Sequence, residues 1–191
     1  MKIGLCGLGW VGGTMRAYFA QTKHSMFLYD KFKLIGSVES LNRADVIFVA
    51  VPTPYADAGY DDSAVHSALE CIEDGKIVVI KSTVMPGSTE RFQQQYPRKT
   101  ILFNPEFLTE KNANEDFCHP DRQLIGYASG KGSNLAQSIL YALPLAPYER
   151  ILVATEAEMV KYFSNVFLAT RVTFANRCST SARLPAWTTL R

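Results

Sequence analysis

Short apolar runs recur along the chain, each stopped by glycine, proline or a charged residue. Residues 2–6, 26–29, 46–51, 77–80, 100–103, 122–126 and 151–153 have the length of strands, and several are continuously apolar, as strands buried on both faces are. Stretches of helical period lie between them. Val11, Met15, Tyr18 and Phe19 fall on one face, and so do Ala64, Val65, Ala68, Leu69 and Ile72 within 62–73. A polar helix is expected at 88–96, another helix at 134–142, and one or two turns at 37–42. The longest helix is expected to open at Thr155, with Glu158 three residues on completing a capping box, and to bury Met159, Val160, Phe163, Val166 and Phe167. Alternating strands and helices predict an α/β fold, a Rossmann-type doubly wound, mostly parallel sheet followed by a long connecting helix. The expected divisions are 1–154 for the sheet domain, 155–176 for the start of the helix, and 177–191 for a tail that has lost the helical period.

The first thirty residues carry the strongest chemical signal. The first run leads into Gly7-Leu8-Gly9-Trp10-Val11-Gly12, a helix follows, and the second run ends on Asp30. Strand, glycine turn, helix, strand and acid is the order a dinucleotide site needs. Gly7 permits the tight turn, Gly9 lets backbone approach a pyrophosphate, and Gly12 lets helix pack on strand. The helix N-terminus offers free N–H groups to the phosphates. Asp30 is expected to accept from both hydroxyls of the adenosine ribose and to repel a 2′-phosphate, which favours NAD over NADP. Lys31 and Lys33 pull the other way, since either could pair with an extra phosphate.

The remaining strand ends bring more polar groups to the same edge. Residues 46–51 stop at Pro52-Thr53-Pro54, residues 77–80 run into Lys81-Ser82-Thr83, and residues 100–103 deliver Asn104-Pro105-Glu106-Phe107-Leu108-Thr109-Glu110. On the long helix Lys161 and Asn165 stand one turn apart. Oxidising an alcohol by hydride transfer needs a cation to stabilise the alkoxide and a carboxylate to take protons or activate water, and Lys161 with Glu106 or Glu110 could supply these.

Composition narrows the reading. The 191 residues are 47% hydrophobic and 20% charged, with a net charge of +2, which suits a globular domain and gives no nucleic-acid signature. No apolar run reaches bilayer length and no signal-peptide pattern opens the chain, so a cytoplasmic protein is expected. Cys6, Cys71, Cys118 and Cys178 lack C-x-x-C spacing, which argues against a metal site and a disulfide framework.

These residues resemble the nucleotide-sugar dehydrogenases, the UDP-glucose 6-dehydrogenase type above all, with UDP-acetylmannosamine and GDP-mannose dehydrogenases as relatives. The resemblance runs from Lys2 to about Asn176 and rests on the glycine turn, on 45–54, on Lys81-Ser82-Thr83-Val84 with Pro86-Gly87, and on Asn104-Pro105-Glu106-Phe107-Leu108 with Glu110. It extends to Asp116-Phe117, to Pro120-Asp121-Arg122, and to Glu158-Met159 with Lys161 and Asn165. It implies oxidation of a sugar C6 alcohol to a carboxylate with two NAD per turnover, through a cysteine thioester. It further implies an NAD site at Gly7, Gly9, Trp10, Val11, Gly12, Asp30, Lys33, Val51, Pro52, Thr53, Ser82, Thr83 and Glu110. Phe107, Leu108, Glu110, Lys161 and Asn165 would meet the sugar, and Thr83, Glu106, Glu110, Lys161 and Asn165 would carry the chemistry. A homo-oligomer through the long helix is expected, with no nucleic-acid or membrane partner.

Three departures stand out. Lys111 follows Glu110 where the family has glycine. The segment between Asp30 and Asp45 is short, so a family helix is reduced or lost. No cysteine sits in the glycine-rich loop that the family's second domain supplies. The tail after Asn176 can be decoded, in a restored reading frame, into a peptide that continues the family helix, so a frameshifted, truncated chain is expected, able to bind NAD but without the thiol. The competing readings are a β-hydroxyacid dehydrogenase, against which the Asn104-Pro105-Glu106-Phe107-Leu108 block speaks, and a non-catalytic NAD-binding module.

Overall fold

The computed structural model describes residues 1–57, 59–109, 111–128 and 132–182; Glu110 and the residues 183–191 of the expected tail lie outside them. In chain order the elements are β1 (Lys2–Cys6), α1 (Trp10–Phe19), β2 (Ser25–Tyr29), α2 (Val38–Leu41), β3 (Val46–Val49), β4 (Tyr55–Ala56), β5 (Gly59–Tyr60) and α3 (Ser63–Cys71). They continue with β6 (Ile77–Ile80), α4 (Ser88–Gln95), β7 (Thr100–Phe103), α5 (Ala113–Cys118), β8 (Arg122–Tyr127), α6 (Ser133–Ala142), β9 (Tyr148–Val153) and α7 (Ala154–Ala182).

Seven strands form one sheet in the order β2-β1-β3-β6-β7-β8-β9. The pairs from β2 to β7 are parallel, β8 runs antiparallel to β7, and β9 is parallel to β8. Alternate residues of each strand feed opposite faces. Ile47 and Val49 join Val65 and Leu69 of α3 and Phe92 of α4 in one core. Val46 and Phe48 join Met15 and Phe19 of α1 and Ile139 of α6 in the other. That two-sided burial is why the β3 run is apolar at every position; each such side chain contributes roughly 1.5–3 kcal/mol. The fold is therefore the doubly wound Rossmann type.

The chain leaves β1 to form β2 on one side and β3 on the other, so a crevice opens at the carboxyl ends of β1 and β3. α2 is one turn, capped by Ser37, whose Oγ accepts from Ser40 N. The hairpin β4–β5 and the helix α5 have no counterpart in the apolar pattern.

Three readings of α7 need correction. It leaves Met159, Phe163, Val166 and Phe167, expected to be buried, exposed to solvent, since no described residue covers that face. It opens at Ala154 and continues to Ala182, six residues past the expected boundary, because backbone hydrogen bonding persists where the apolar period has gone. Glu158 does not close a capping box with Thr155. Its carboxylate accepts from Gly87 N at 2.6 Å, from Thr89 N at 2.9 Å and from Thr89 Oγ1 at 2.6 Å. Gly87 is the N-cap of α4 and offers no side chain of its own, so a carboxylate about seventy residues downstream satisfies the orphan amides there.

Candidate functional site

The glycine turn is shaped by two contacts. Gly7 adopts φ +87°, and a Cβ there would run into the Ala50 carbonyl. A Cβ on Gly12 would collide with the Gly7 carbonyl. Both glycines are therefore demanded by the fold. Gly9 is not: a Cβ there meets nothing within 4 Å, and its φ of −69° suits any residue. Gly9 is the N-cap of α1, no side chain caps that helix, and its first bond beyond the cap runs from Gly13 N to Gly9 O at 2.8 Å. The amides of the first turn are thus presented to the open space beside Gly9.

That space is a cavity of about 850 Å³ along the sheet's crest. Gly7, Gly9, Trp10, Val11, Asp30, Lys33, Val51, Pro52, Thr53, Ser82, Thr83 and Glu106 all line it. Gly12 lies behind the wall. Lys81 and the α3 residues Ser63, Ala64, Ser67, Ala68 and Cys71 line it as well and were not expected there as site residues. The helical period placed Ala64 and Ala68 on a buried face, but nothing local says that the face reaches a cavity.

Asp30 is 8% exposed and ties the crest together. Its Oδ2 accepts from Leu8 N at 2.7 Å, and its Oδ1 accepts from Phe32 N at 3.0 Å and Lys33 N at 2.9 Å. A carboxylate has about four acceptor positions, so one remains for a ribose hydroxyl rather than the two expected. Burial alone would raise this carboxyl, but the three backbone donors and the Lys33 charge together hold it below the usual range. The Lys33 ammonium donates to Leu8 O at 2.5 Å, back onto the glycine turn, so it is not reserved for an extra phosphate.

Hydroxyls stitch the middle of the crest. Thr53 Oγ1 donates to Thr83 O at 2.7 Å, Tyr60 OH donates to the same carbonyl at 3.2 Å, and Ser82 Oγ donates to Val51 O at 2.7 Å while accepting from Val51 N at 3.0 Å.

A second cavity, of about 430 Å³, adjoins the first through Glu106, which lines both. Its wall brings together Phe107, Leu108, Lys161 and Asn165, all expected, with Arg122, Ser164 and Phe167 in addition. Lys161 Nζ donates to Glu106 Oε1 at 2.7 Å, and Glu106 Oε2 accepts from Leu108 N at 2.8 Å. The guanidinium of Arg122 stacks 4.7 Å over the Phe107 ring, so the loop after β7 is clamped from β8. No cysteine lines this cavity among the described residues. Cys6 is core, and burial pushes its thiol up to about 12.

The sequence profile of the UDP-glucose/GDP-mannose dehydrogenase family, NAD binding domain, matches residues 31–143. The chain is 40% identical over 156 residues to the UDP-glucose 6-dehydrogenase of Pseudomonas aeruginosa, covering 72% of this chain and 34% of that protein. It is 26% identical to the UDP-glucose 6-dehydrogenase AglM of Haloferax volcanii, covering 92% and 53%. Its fold superposes on a UDP-glucose dehydrogenase structure from Pyrobaculum islandicum with TM-score 0.80 and 31% identity, covering 93% of this chain and 52% of the other. The chain thus spans about a third to a half of the length of these relatives. No described helix is long and apolar enough to cross a membrane.

Proposed function

We propose, from the premise that the chain belongs to the UDP-glucose/GDP-mannose dehydrogenase family as its NAD-binding domain, that it holds NAD along the crest and presents the alcohol of a nucleotide sugar to it where the two cavities meet. The observation that carries the reading is the Lys161–Glu106 pair standing at that junction. NAD, when bound, supplies the hydride acceptor. The residues fit it: the space beside Gly9 and the uncapped α1 terminus suit the pyrophosphate, and the free acceptor position of Asp30 suits the adenosine ribose.

The chain's own groups then have these tasks. Lys161, 5% exposed, stabilises the alkoxide as the alcohol loses its proton. Glu106 holds that proton or orients a water, its second oxygen fixed by Leu108 N. Thr83 and Asn165 orient the sugar hydroxyl or water, and Phe107 and Leu108 form the floor of the sugar pocket. Glu110 is assigned to the cofactor and the sugar on resemblance alone, since it lies outside the described residues. The division into a nucleotide-binding unit, 1–154, and a connecting helix is part of the same proposal. So is self-association through α7, whose Phe163, Val166, Val172 and Phe174 are exposed; light scattering that finds only monomer would count against it.

The deciding experiment is titration with NAD and NADP, with Asp30→Ala as control. NAD is expected to bind and NADP to bind weakly, and Asp30→Ala is expected to lose the difference. Failure of NAD to bind, or tight binding of NADP, overturns the reading.

A further inference from the structure

Lys81 is a cation for which the chemistry above has no task. It follows β6 directly, is 3% exposed, and lines the first cavity beside Thr83 and Glu106. Its Nζ donates to Asn104 Oδ1 at 2.8 Å and faces the Phe117 ring of α5 at 5.7 Å. Asn104 is itself fully buried and donates to Leu124 O at 2.7 Å, so it is held in place as a neutral acceptor. Among the described residues the charged groups facing Lys81 are Glu106, from the loop after β7, and Lys161, from α7. Glu106 is already engaged on both oxygens, by Lys161 and by Leu108 N. One carboxylate therefore stands between two ammonium groups, and the deeper of them has a neutral amide as its hydrogen-bond acceptor among the described residues.

We propose that binding of oxidised NAD releases the proton of Lys81 to solvent, whereas binding of NADH does not. The proposal rests on the placement of NAD given above. With the adenosine end at Asp30, the part of the cavity lined by Lys81, Thr83 and Glu106, where the second cavity opens, would hold the nicotinamide end. The oxidised ring brings a positive charge to a site that, among the described residues, already has one more ammonium than carboxylate. The reduced ring is neutral and brings none. No bond of the cofactor changes; one N–H bond of Lys81 breaks and the buffer takes the proton. Burial, opposed by Glu106 and assisted by Lys161, already brings the amine down to about 7, so a single added charge suffices to tip it. Lys81 thereby makes the preference between the two cofactor forms depend on pH, with NADH favoured as pH falls.

Calorimetric titration of the chain at pH 7 in phosphate and in imidazole tests this. NAD is expected to give different heats in the two buffers, equivalent to release of up to about half a proton, since Lys81 is about half-protonated there. NADH is expected to give equal heats. From pH 6 to 8 the affinity for NAD is expected to rise severalfold, and that for NADH to stay level. Lys81→Gln, which keeps a donor toward Asn104, should bind NAD with no buffer dependence. Equal heats for NAD in the two buffers overturn the inference, and so does a proton release that persists in the folded variant. Should Lys81→Gln not fold, the wild-type comparison of NAD with NADH still decides. Absence of any NAD binding would instead overturn the functional reading.

Discussion

Gly9 and Gly12 stand three positions apart in one motif, yet a methyl group would meet opposite fates at them. At Gly12 it collides with the Gly7 carbonyl; at Gly9 it enters the open space that the α1 amides face. Gly12→Ala is therefore expected to destabilise the chain by about 2 kcal/mol or more, read as a fall in the urea midpoint. Gly9→Ala is expected to leave stability within about 1 kcal/mol, since the added methyl meets nothing within 4 Å, and to weaken NAD at least about tenfold. A Gly9→Ala protein that binds NAD normally would show that no ligand uses that opening. The sequence motif assigns the three glycines separate tasks by position alone. The contacts of each missing side chain add the physical ground: two the fold requires, and one faces open space.

Elements are where local pattern and long-range contact part company. The strands that pack on both faces were legible because a continuous apolar run of four to six residues has few other uses, and β3 and β6 fall within the expected spans. Two-residue β4 and β5 and six-residue α5 are too short to show a period. The reversed direction of β8 follows from how the chain crosses over through α5, which no strand's own composition encodes. The candidate site divides the same way. The glycine turn and Asp30 could be read because their spacing is local. Lys81 could not, since a lysine at the end of an apolar run looks like the point where the chain reaches solvent. Glu158 could not either, because its partners lie about seventy residues away, and Thr155 offered a local partner. Burial pushes the Glu158 carboxyl up, and the donors of Thr89 and Gly87 pull it part of the way back. Glu158→Ala leaves the buried amide and hydroxyl of Thr89 and the part-buried amide of Gly87 without their acceptor, so a loss of about 2–4 kcal/mol is expected, measured by urea unfolding. A loss below about 0.5 kcal/mol would mean that water replaces the carboxylate at no cost.

At the scale of the whole molecule the same buried amine makes stability depend on pH. Lys81 is brought from the ordinary lysine value of 10.5 down to about 7 by burial, so the folded chain disfavours its charged form. Below about pH 7 both folded and unfolded chains hold the proton, and the penalty of burying the charge is at its full size. Between about 7 and 10.5 the unfolded chain binds more protons than the folded one, so stability rises with pH, by at most about 1.4 kcal/mol per pH unit. Cys6 acts in the opposite sense. Its thiol is raised to about 12, so above about pH 9 the unfolded chain ionises first and stability is lost. The window in which Lys81 dominates is therefore about pH 7 to 8.5. Across it the urea midpoint should climb at fixed ionic strength, and Lys81→Gln should flatten the climb while being at least as stable as wild type at pH 7. Because that rise is read without any ligand, it separates the burial of the amine from its response to NAD. A midpoint that stays level or falls across the window would mean that the amine is hydrated in solution, and a hydrated amine would give up no proton when the cofactor binds.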